Sequence, residues 1–82
     1  MPWFVYILEC KNKALYTGIT TDITRRLKEH RLGEGCRYTS YNPGLKIRYF
    51  ETYKTRSKAL KREARIKKMP RKEKLSLIRA GS

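Results

Sequence analysis

The fold is decided by the N-terminal stretch Trp3-Phe4-Val5-Tyr6-Ile7-Leu8, in which aromatic and branched apolar residues follow one another without a charge. Such a run is typical of a strand covered on both faces, so it predicts the central strand of a sheet. Residues 11–13 predict a polar turn with Asn12 in a left-handed conformation, and Ala14-Leu15-Tyr16-Thr17-Gly18-Ile19 completes a β-hairpin. Gly18 indicates either a bulge or a close approach of another group to the backbone.

A helix and a long loop are predicted after the hairpin. Thr20-Thr21-Asp22 offers hydroxyl caps followed by an acidic residue of the first turn, and the apolar stripe that begins at Ile23 ends near Gly33. Residues 33–44 then combine glycines with turn-forming side chains at both ends, which predicts a loop.

A third strand is predicted over Leu45–Tyr53, where apolar and polar residues alternate. The alternation is typical of an edge strand whose charges are directed outward. The residues predicted to point inward are Leu45, Ile47 and Tyr49, and those predicted to point outward are Lys46 and Arg48.

Two helices are predicted in the remaining third of the chain. Thr55 or Ser57 caps the first of them, and Pro70 separates it from a shorter helix over Arg71–Ala80. The order of the elements is therefore ββαβαα, in the α+β class.

The charge of the chain points to a polyanionic partner. Its 82 residues suffice for one hydrophobic core, which predicts a single domain over residues 1–82. They include 21 Lys or Arg and 7 Asp or Glu, a formal net charge of +14, and residues 54–82 alone carry 12 basic and 2 acidic side chains. Nucleic acid is the first candidate partner, an acidic membrane surface the second and an acidic protein the third.

Several classes of protein are excluded by composition. No apolar run approaches the roughly 20 residues that cross a bilayer, and no basic leader precedes the N-terminal strand, so neither a membrane span nor a secretory signal is expected. Cys10 and Cys36, with one histidine and no CxxC pair, do not make a zinc site. Two free thiols favour the reducing cytoplasm, although a single disulfide between them is left open.

A carboxylate on the apolar stripe of the first C-terminal helix is a candidate metal ligand. At about 100° per residue, Glu63 lies among Ala59, Leu60 and Ile66, where an unpaired charge is costly. An i, i+4 pair with Lys67 and a metal site completed by substrate phosphate and water explain it equally well.

The helix after the hairpin carries Arg26 and His30 four residues apart, one turn above the other on one face. Composition alone favours a solvated flank, because charged side chains dominate this helix. The alternative is a phosphate clamp, since arginine makes bidentate contacts with phosphate and histidine titrates near neutral pH.

Tyr6 and Tyr16 lie on the two strands of the predicted hairpin, near Gly18. Tyrosines at such positions are usually core residues with a satisfied hydroxyl. The two hydroxyls could instead border one pocket, where a nearby cation such as Arg26 would have to favour the ionised phenol before it could act as a base.

The loop of residues 33–44 contains Arg37 and Tyr38 among glycines, but it has no P-loop motif. It is either a surface connection or a contact to backbone phosphates and unstacked bases.

Together these positions resemble the GIY-YIG nuclease superfamily over roughly residues 3–69. The first signature triplet is similar to Val5-Tyr6-Ile7 and the second to Tyr16-Thr17-Gly18. The family's helix arginine, helix histidine and metal-binding glutamate fall on Arg26, His30 and Glu63.

The chain departs from the family's pattern at three points. Val5 replaces the glycine of the first triplet, and Thr17 replaces the isoleucine of the second. The asparagine that many members carry downstream of the glutamate is missing, since Asn12 and Asn42 are the only asparagines. The stretch over residues 33–39 is nonetheless similar to the loop of small, stand-alone bacterial members.

The resemblance implies a small three-stranded antiparallel sheet flanked by helices. It also implies hydrolysis of phosphodiester bonds in DNA with one divalent cation, Mg²⁺ or Mn²⁺, held by Glu63. In that mechanism Arg26 stabilises charge on the phosphorane, Tyr6 or Tyr16 activates water, and His30 assists.

The expected substrates are branched or damaged DNA structures, with a protein partner supplying target choice and no association with a membrane. The competing interpretation is a nucleic-acid-binding module on structured RNA whose catalysis is weak or lost. The residues predicted to contact nucleic acid are Gly18, Arg37, Tyr38, Lys67 and Lys68.

Overall fold

The structure is a computed structural model that describes residues 1–34 and 43–81. Its elements confirm the predicted order ββαβαα and the α+β class. They are β1 (Trp3–Cys10), β2 (Leu15–Thr20), α1 (Ile23–Arg31), β3 (Gly44–Tyr53), α2 (Arg56–Lys67) and α3 (Arg71–Gly81). Within the described ranges, none of the helices has the length and apolarity that crossing a membrane requires.

The three strands form one antiparallel sheet in the order β2-β1-β3, which confirms the central strand, the hairpin and the edge position of the third strand. At the hairpin turn, the Ala14 N–H donates a hydrogen bond of 2.9 Å to Asn12 Oδ1. The left-handed residue of the turn is Lys13, with a φ of 70°, and not Asn12 as predicted. The side chain of Asn12 instead closes the turn through that hydrogen bond.

A β-bulge changes the pattern of β3. Tyr49 pairs with Ile7 and Ile47 pairs with Leu8, so Arg48 is an extra residue on the edge strand. An inserted residue exchanges the two faces, and Ile47 and Tyr49 therefore pack on opposite sides of the sheet. The prediction that both point inward on one face is wrong for this reason.

Helices cover the sheet on both sides, and β1 is buried between them. No residue from Val5 to Leu8 is more than 1% exposed. Full burial of an apolar side chain contributes about 1.5–3 kcal/mol to stability. Because side chains of this strand alternate between the two faces, the strand contributes to two separate cores. Under α2 and α3, Val5 and Ile7 pack with Ala59, Ile66 and Ile78. Under α1, Tyr6, Leu8 and Cys10 pack with Tyr16, Leu27 and Ile47.

Side-chain caps set the starts of the first two helices. Asp22 is itself the cap of α1, where its side chain accepts a 3.0 Å hydrogen bond from the Arg25 N–H. Thr55, and not Ser57, caps α2 in the same way through the Lys58 N–H. Pro70 lies between α2 and α3, as predicted.

Candidate active site

The two hairpin segments meet at Gly18. The strand register pairs Tyr6 with Gly18 without a bulge. A Cβ atom at position 18 would lie 2.5 Å from Tyr6 Oη and 3.2 Å from Tyr16 Cε1. Of the two predicted explanations for this glycine, the close approach is therefore correct. Any side chain at this position would displace the Tyr6 hydroxyl.

His30 completes an aromatic cluster under α1. Its side chain is fully buried, and its ring centroid lies 5.9 Å from that of Tyr6 and 5.3 Å from that of Tyr16. Interpreting this helix face as a solvated flank is therefore wrong for His30. The reason is helical phase, because His30 follows Leu27 by three residues and shares its inward stripe.

Arg26 reaches the same cluster from the turn before His30. Its guanidinium lies 3.1 Å from Glu29 Oε1, and both side chains are partly exposed. Partial burial opposes the charge of Arg26, but hydrogen bonds with Tyr6 and Glu29 outweigh it and hold the pKa of Arg26 above its usual value. Arg26 thus links the buried phenol to the protein surface.

The hydrogen bonds of the cluster are consistent with one arrangement of protons. A guanidinium can only donate, so Arg26 takes up a lone pair of the Tyr6 oxygen. Tyr6 Oη and His30 Nε2 lie 2.8 Å apart, and in the Nδ1–H tautomer of the imidazole the Tyr6 hydroxyl is the donor of this hydrogen bond. This requires a neutral imidazole, and burial together with the Arg26 charge lowers the pKa of His30 below 6.5. The Tyr6 hydroxyl thus lies within hydrogen-bond distance of a neutral imidazole nitrogen.

The two tyrosines of the cluster differ in exposure. Tyr6 is 1% exposed, whereas Tyr16 is half-buried. Their ring centroids lie 6.4 Å apart, so the cluster has an inner phenol and an outer phenol.

Glu63 lies on α2, under the face of the sheet opposite the tyrosines. Its side chain is 16% exposed, and Lys67 Nζ lies 3.5 Å from its Oε2, which is the predicted i, i+4 pair. Leu60, predicted on the same stripe, is exposed. α2 packs against β1 and also against β2, the edge strand that carries Tyr16. α2 therefore contacts the strand that carries Tyr16, from the face opposite the tyrosine ring.

The surroundings of Glu63 fit a metal site with a single protein carboxylate. In the described ranges, no group of three or more His, Cys, Asp or Glu side chains could hold an ion. The contact that the Glu63 carboxylate makes with Lys67 Nζ, 3.5 Å from Oε2, is long for a hydrogen bond. Mg²⁺ accepts one carboxylate when phosphate oxygens and water complete its shell.

Thr17 accounts for one departure from the family's pattern. It is 4% exposed on the α2 side of the sheet, next to Ile7 in the register. Its hydroxyl has no hydrogen-bond partner among the residues described. The position is therefore an apolar one, where the isoleucine of the signature would be equally well placed.

The residues predicted to contact nucleic acid are differently placed. Lys67 and Lys68 are exposed at the end of α2, whereas Gly18 is buried beneath the tyrosine rings. Arg37 and Tyr38 lie outside the described residues.

A second polar cluster, on the α2 side of the sheet, was missed in the sequence. Arg62 Nε and Nη2 donate to the two carboxylate oxygens of Glu51 at 2.9 and 3.0 Å. Tyr53 donates to the same carboxylate at 2.5 Å, and Tyr49 donates to its other oxygen. The sequence does indicate part of this cluster, because residues 49, 51 and 53 alternate along one strand and must share a face of the sheet.

Comparison with known proteins places these residues in a family. Residues 2–76 match the family described as the GIY-YIG catalytic domain. The chain belongs to the GIY-YIG family. A UPF0213 protein of Haloquadratum walsbyi is 46% identical, over 96% of this chain and 89% of the relative. A UPF0213 protein of Syntrophus aciditrophicus is 51% identical over 93% and 88% of the respective chains.

A solved structure agrees with this assignment. The solution structure of the UPF0213 protein BH0048 from Bacillus halodurans has a TM-score of 0.63 and 36% identity, and the match covers all of this chain and 88% of the other. The expected membership of the GIY-YIG family is confirmed, and with it a nuclease type of domain.

Proposed function

We propose that this GIY-YIG protein is a metal-dependent endonuclease that hydrolyses phosphodiester bonds in DNA. The observation that carries the proposal is the cluster of Tyr6, Tyr16, Arg26 and His30 under α1, at the positions where the family signature falls. The net charge of +14 supports a nucleic-acid substrate.

Arg26 is assigned to the scissile phosphate. Its pair with Glu29 is partly solvated, and pairs of this kind are worth at most about 1 kcal/mol. A phosphate group can therefore replace the carboxylate and receive two parallel hydrogen bonds from the guanidinium. In the transition state the same contacts stabilise the added negative charge.

The tyrosines are assigned to proton transfer. Tyr16 is the outer phenol, so we assign to it the contact with the attacking water. Tyr16 would take the proton of that water as the phenolate, a form that a nearby cation such as Arg26 favours, while Tyr6 and His30 form the inner pair that holds the cluster in place.

Glu63 is assigned to the divalent cation, Mg²⁺ or Mn²⁺. When bound, the ion would supply Lewis-acid stabilisation of the negative charge that develops on the phosphodiester. Glu63 would provide one carboxylate oxygen after release of the loose contact with Lys67.

Substrate binding is assigned to exposed cations outside the cluster. They steer a polyanion to the protein and make its affinity fall with salt. Arg37 and Tyr38 remain proposed contacts, as does the backbone at Gly18. The exposed cations of α2, of the following turn and of the start of α3 are Arg56, Lys58, Lys61, Arg65, Lys67, Lys68, Arg71 and Lys72.

We further propose that the chain acts as one domain over residues 1–82, in the cytoplasm, on branched or damaged DNA, with a protein partner that supplies target choice.

A second candidate is a nucleic-acid-binding module on structured RNA with weak or lost catalysis. The observation that favours it is the engagement of Glu63 by Lys67 on the face opposite the tyrosines.

Incubation with a panel of labelled substrates separates the two candidates. Duplex, flap, branched and single-stranded DNA, together with structured RNA, are offered with Mg²⁺ or Mn²⁺. The endonuclease should cut at least one DNA substrate, and the Glu63→Gln variant should bind it at least as well without cutting. Binding without cutting by the parent chain would establish the binding module, and failure to bind would reject both candidates.

A further inference from the structure

Both phenylalanines of the chain meet at the surface of the sheet. Phe50 on β3 is 54% exposed, and its ring meets the Phe4 ring edge to face at a centroid distance of 5.9 Å. The register pairs Phe50 with Tyr6, so the two phenylalanines lie on the same face as the tyrosine cluster. An aromatic side chain of this size is normally buried, which makes its exposure informative.

A groove runs beside these rings at the N-terminal end of α1. It has a volume of about 430 Å³, within the range of ligand pockets. Among the described residues that line it, the only carboxylate is that of Asp22, which is engaged in capping α1. The lining residues are Phe4, Thr21, Asp22, Ile23, Thr24 and Phe50.

The groove adjoins cationic side chains along the edge strand. A second groove of about 540 Å³ shares Ile23, Thr24 and Phe50 with the first and reaches Lys46 and Arg48. An occupant must therefore combine a flat apolar part with negative charge. Nucleic acid supplies both, because a base stacks on an aromatic ring while its phosphates contact cations.

We propose that Phe50, supported by Phe4, is a stacking site for one unpaired nucleobase of the substrate. Bases within a duplex are already stacked on both faces, so only an unpaired nucleotide can enter the groove. If the chain is the endonuclease proposed above, its substrates carry a single-stranded segment on the α1 face, beyond Tyr6 and towards β3. Flaps, gaps and loops have this property.

Fluorescence of 2-aminopurine tests the site directly, since stacking quenches this base. The intact chain is titrated, without divalent metal, with an oligonucleotide that carries the probe unpaired or within a full duplex. Phe50→Ala should weaken binding of the unpaired probe at least about fivefold and abolish quenching, while duplex affinity changes less than about twofold. Phe50→Tyr, which keeps the ring, should retain both.

Leu60→Ala is the matched control, since Leu60 is an exposed apolar residue on α2. It should change neither affinity nor quenching. Equal losses on duplex and single strand, unchanged quenching in Phe50→Ala, or the same loss in Leu60→Ala would overturn the stacking site. So would a dimer, detected by sedimentation, that Phe50→Ala dissolves, because the groove would then be an interface between two copies.

The metal-free titration separates this inference from the proposed function. Quenching that depends on Phe50 in a chain that never cuts would support the stacking site and reject the endonuclease. Cutting in the presence of metal by a chain that shows no such quenching would support the endonuclease and reject the stacking site.

Discussion

Two pairs of tyrosines lie on the two faces of one small sheet, and each pair has an arginine beside it. Under α1, Tyr6 and Tyr16 contact neutral His30, and Arg26 reaches Tyr6. Under α2, Tyr49 and Tyr53 both donate to Glu51, which Arg62 holds with two hydrogen bonds. The residue types are similar, but the acceptor is an imidazole on one face and a carboxylate on the other.

Burial and the carboxylate together raise the pKa of the two phenols that the carboxylate binds. Burial and the bond to Glu51 raise the pKa of Tyr49 to about 12, and the same causes raise the pKa of Tyr53. Burial opposes the charge of Glu51, but hydrogen bonds from Arg62 and both tyrosines outweigh it and lower its pKa. This cluster keeps its protons and joins α2 to β3. In the cluster under α1, the group bonded to the Tyr6 hydroxyl is instead the neutral imidazole of His30, and the nearby cation is Arg26.

The largest expected effect is on catalysis, from Arg26→Ala. Loss of a preorganised charge contact should lower the cleavage rate about 100-fold or more, while binding weakens modestly because one phosphate contact of many is lost. Cleavage and binding of the same labelled DNA measure both. Arg25→Ala removes an exposed neighbouring cation and should do much less. Similar effects of the two changes would show that Arg26 acts only as surface charge.

The next effect is on stability, from Glu51→Gln. The neutral side chain weakens both bonds to Arg62 and leaves this partly buried cation less compensated, so the free energy of unfolding should fall by about 2 kcal/mol. The melting temperature should fall by roughly 10 °C. Glu9→Gln, in the more exposed pair with Arg48, should cost less than about 1 kcal/mol. The Glu51→Gln variant should keep its cleavage activity per folded molecule. Loss of that activity would show that the cluster of Glu51, Arg62 and the two tyrosines is part of the active site.

The pH dependence of stability distinguishes the two clusters with a smaller effect. The pKa of folded His30 lies below 6.5, so the unfolded chain binds a proton first and the free energy of unfolding falls as pH drops below about 6.5. The pKa of folded Glu51 lies below 4.5, so its contribution is complete above about pH 4.5 and is lost as pH falls further.

Thermal melts from about pH 8 to about pH 4 measure these two steps. His30→Gln should remove the upper step, and Glu51→Gln should reduce the lower one. A melting temperature of the parent chain that stays constant between about pH 7.5 and pH 5 would contradict the burial of a neutral His30.

Local pattern was sufficient to predict most of the fold. The unbroken apolar run at Trp3–Leu8 is stable only in a strand that is covered on both faces. Thr55 predicts the start of a helix because its hydroxyl can cap the first turn. The bulge at Arg48 could not be predicted in this way, because it is a property of how two strands pair. Ile47 and Tyr49 were consequently assigned to one face.

The candidate site was predictable in its members but not in its arrangement. The spacing of Arg26 and His30 shows that they share a helix face, but it does not show that the His30 ring packs against the Tyr6 hydroxyl. Glu63 was expected on the apolar stripe, and the sequence could not show that this stripe lies under the other face of the sheet.

Removal of single hydroxyls from both faces tests the central claim most directly. Tyr6→Phe, Tyr16→Phe, Tyr49→Phe and Tyr53→Phe each keep the ring, and their cleavage rates and melting temperatures are compared on one DNA substrate. At least one variant under α1 should lose most of its activity, about 100-fold, and remain folded. Both variants under α2 should keep activity per folded molecule and melt at lower temperature. Full activity in both Tyr6→Phe and Tyr16→Phe would contradict the assignment of the active site to the α1 face.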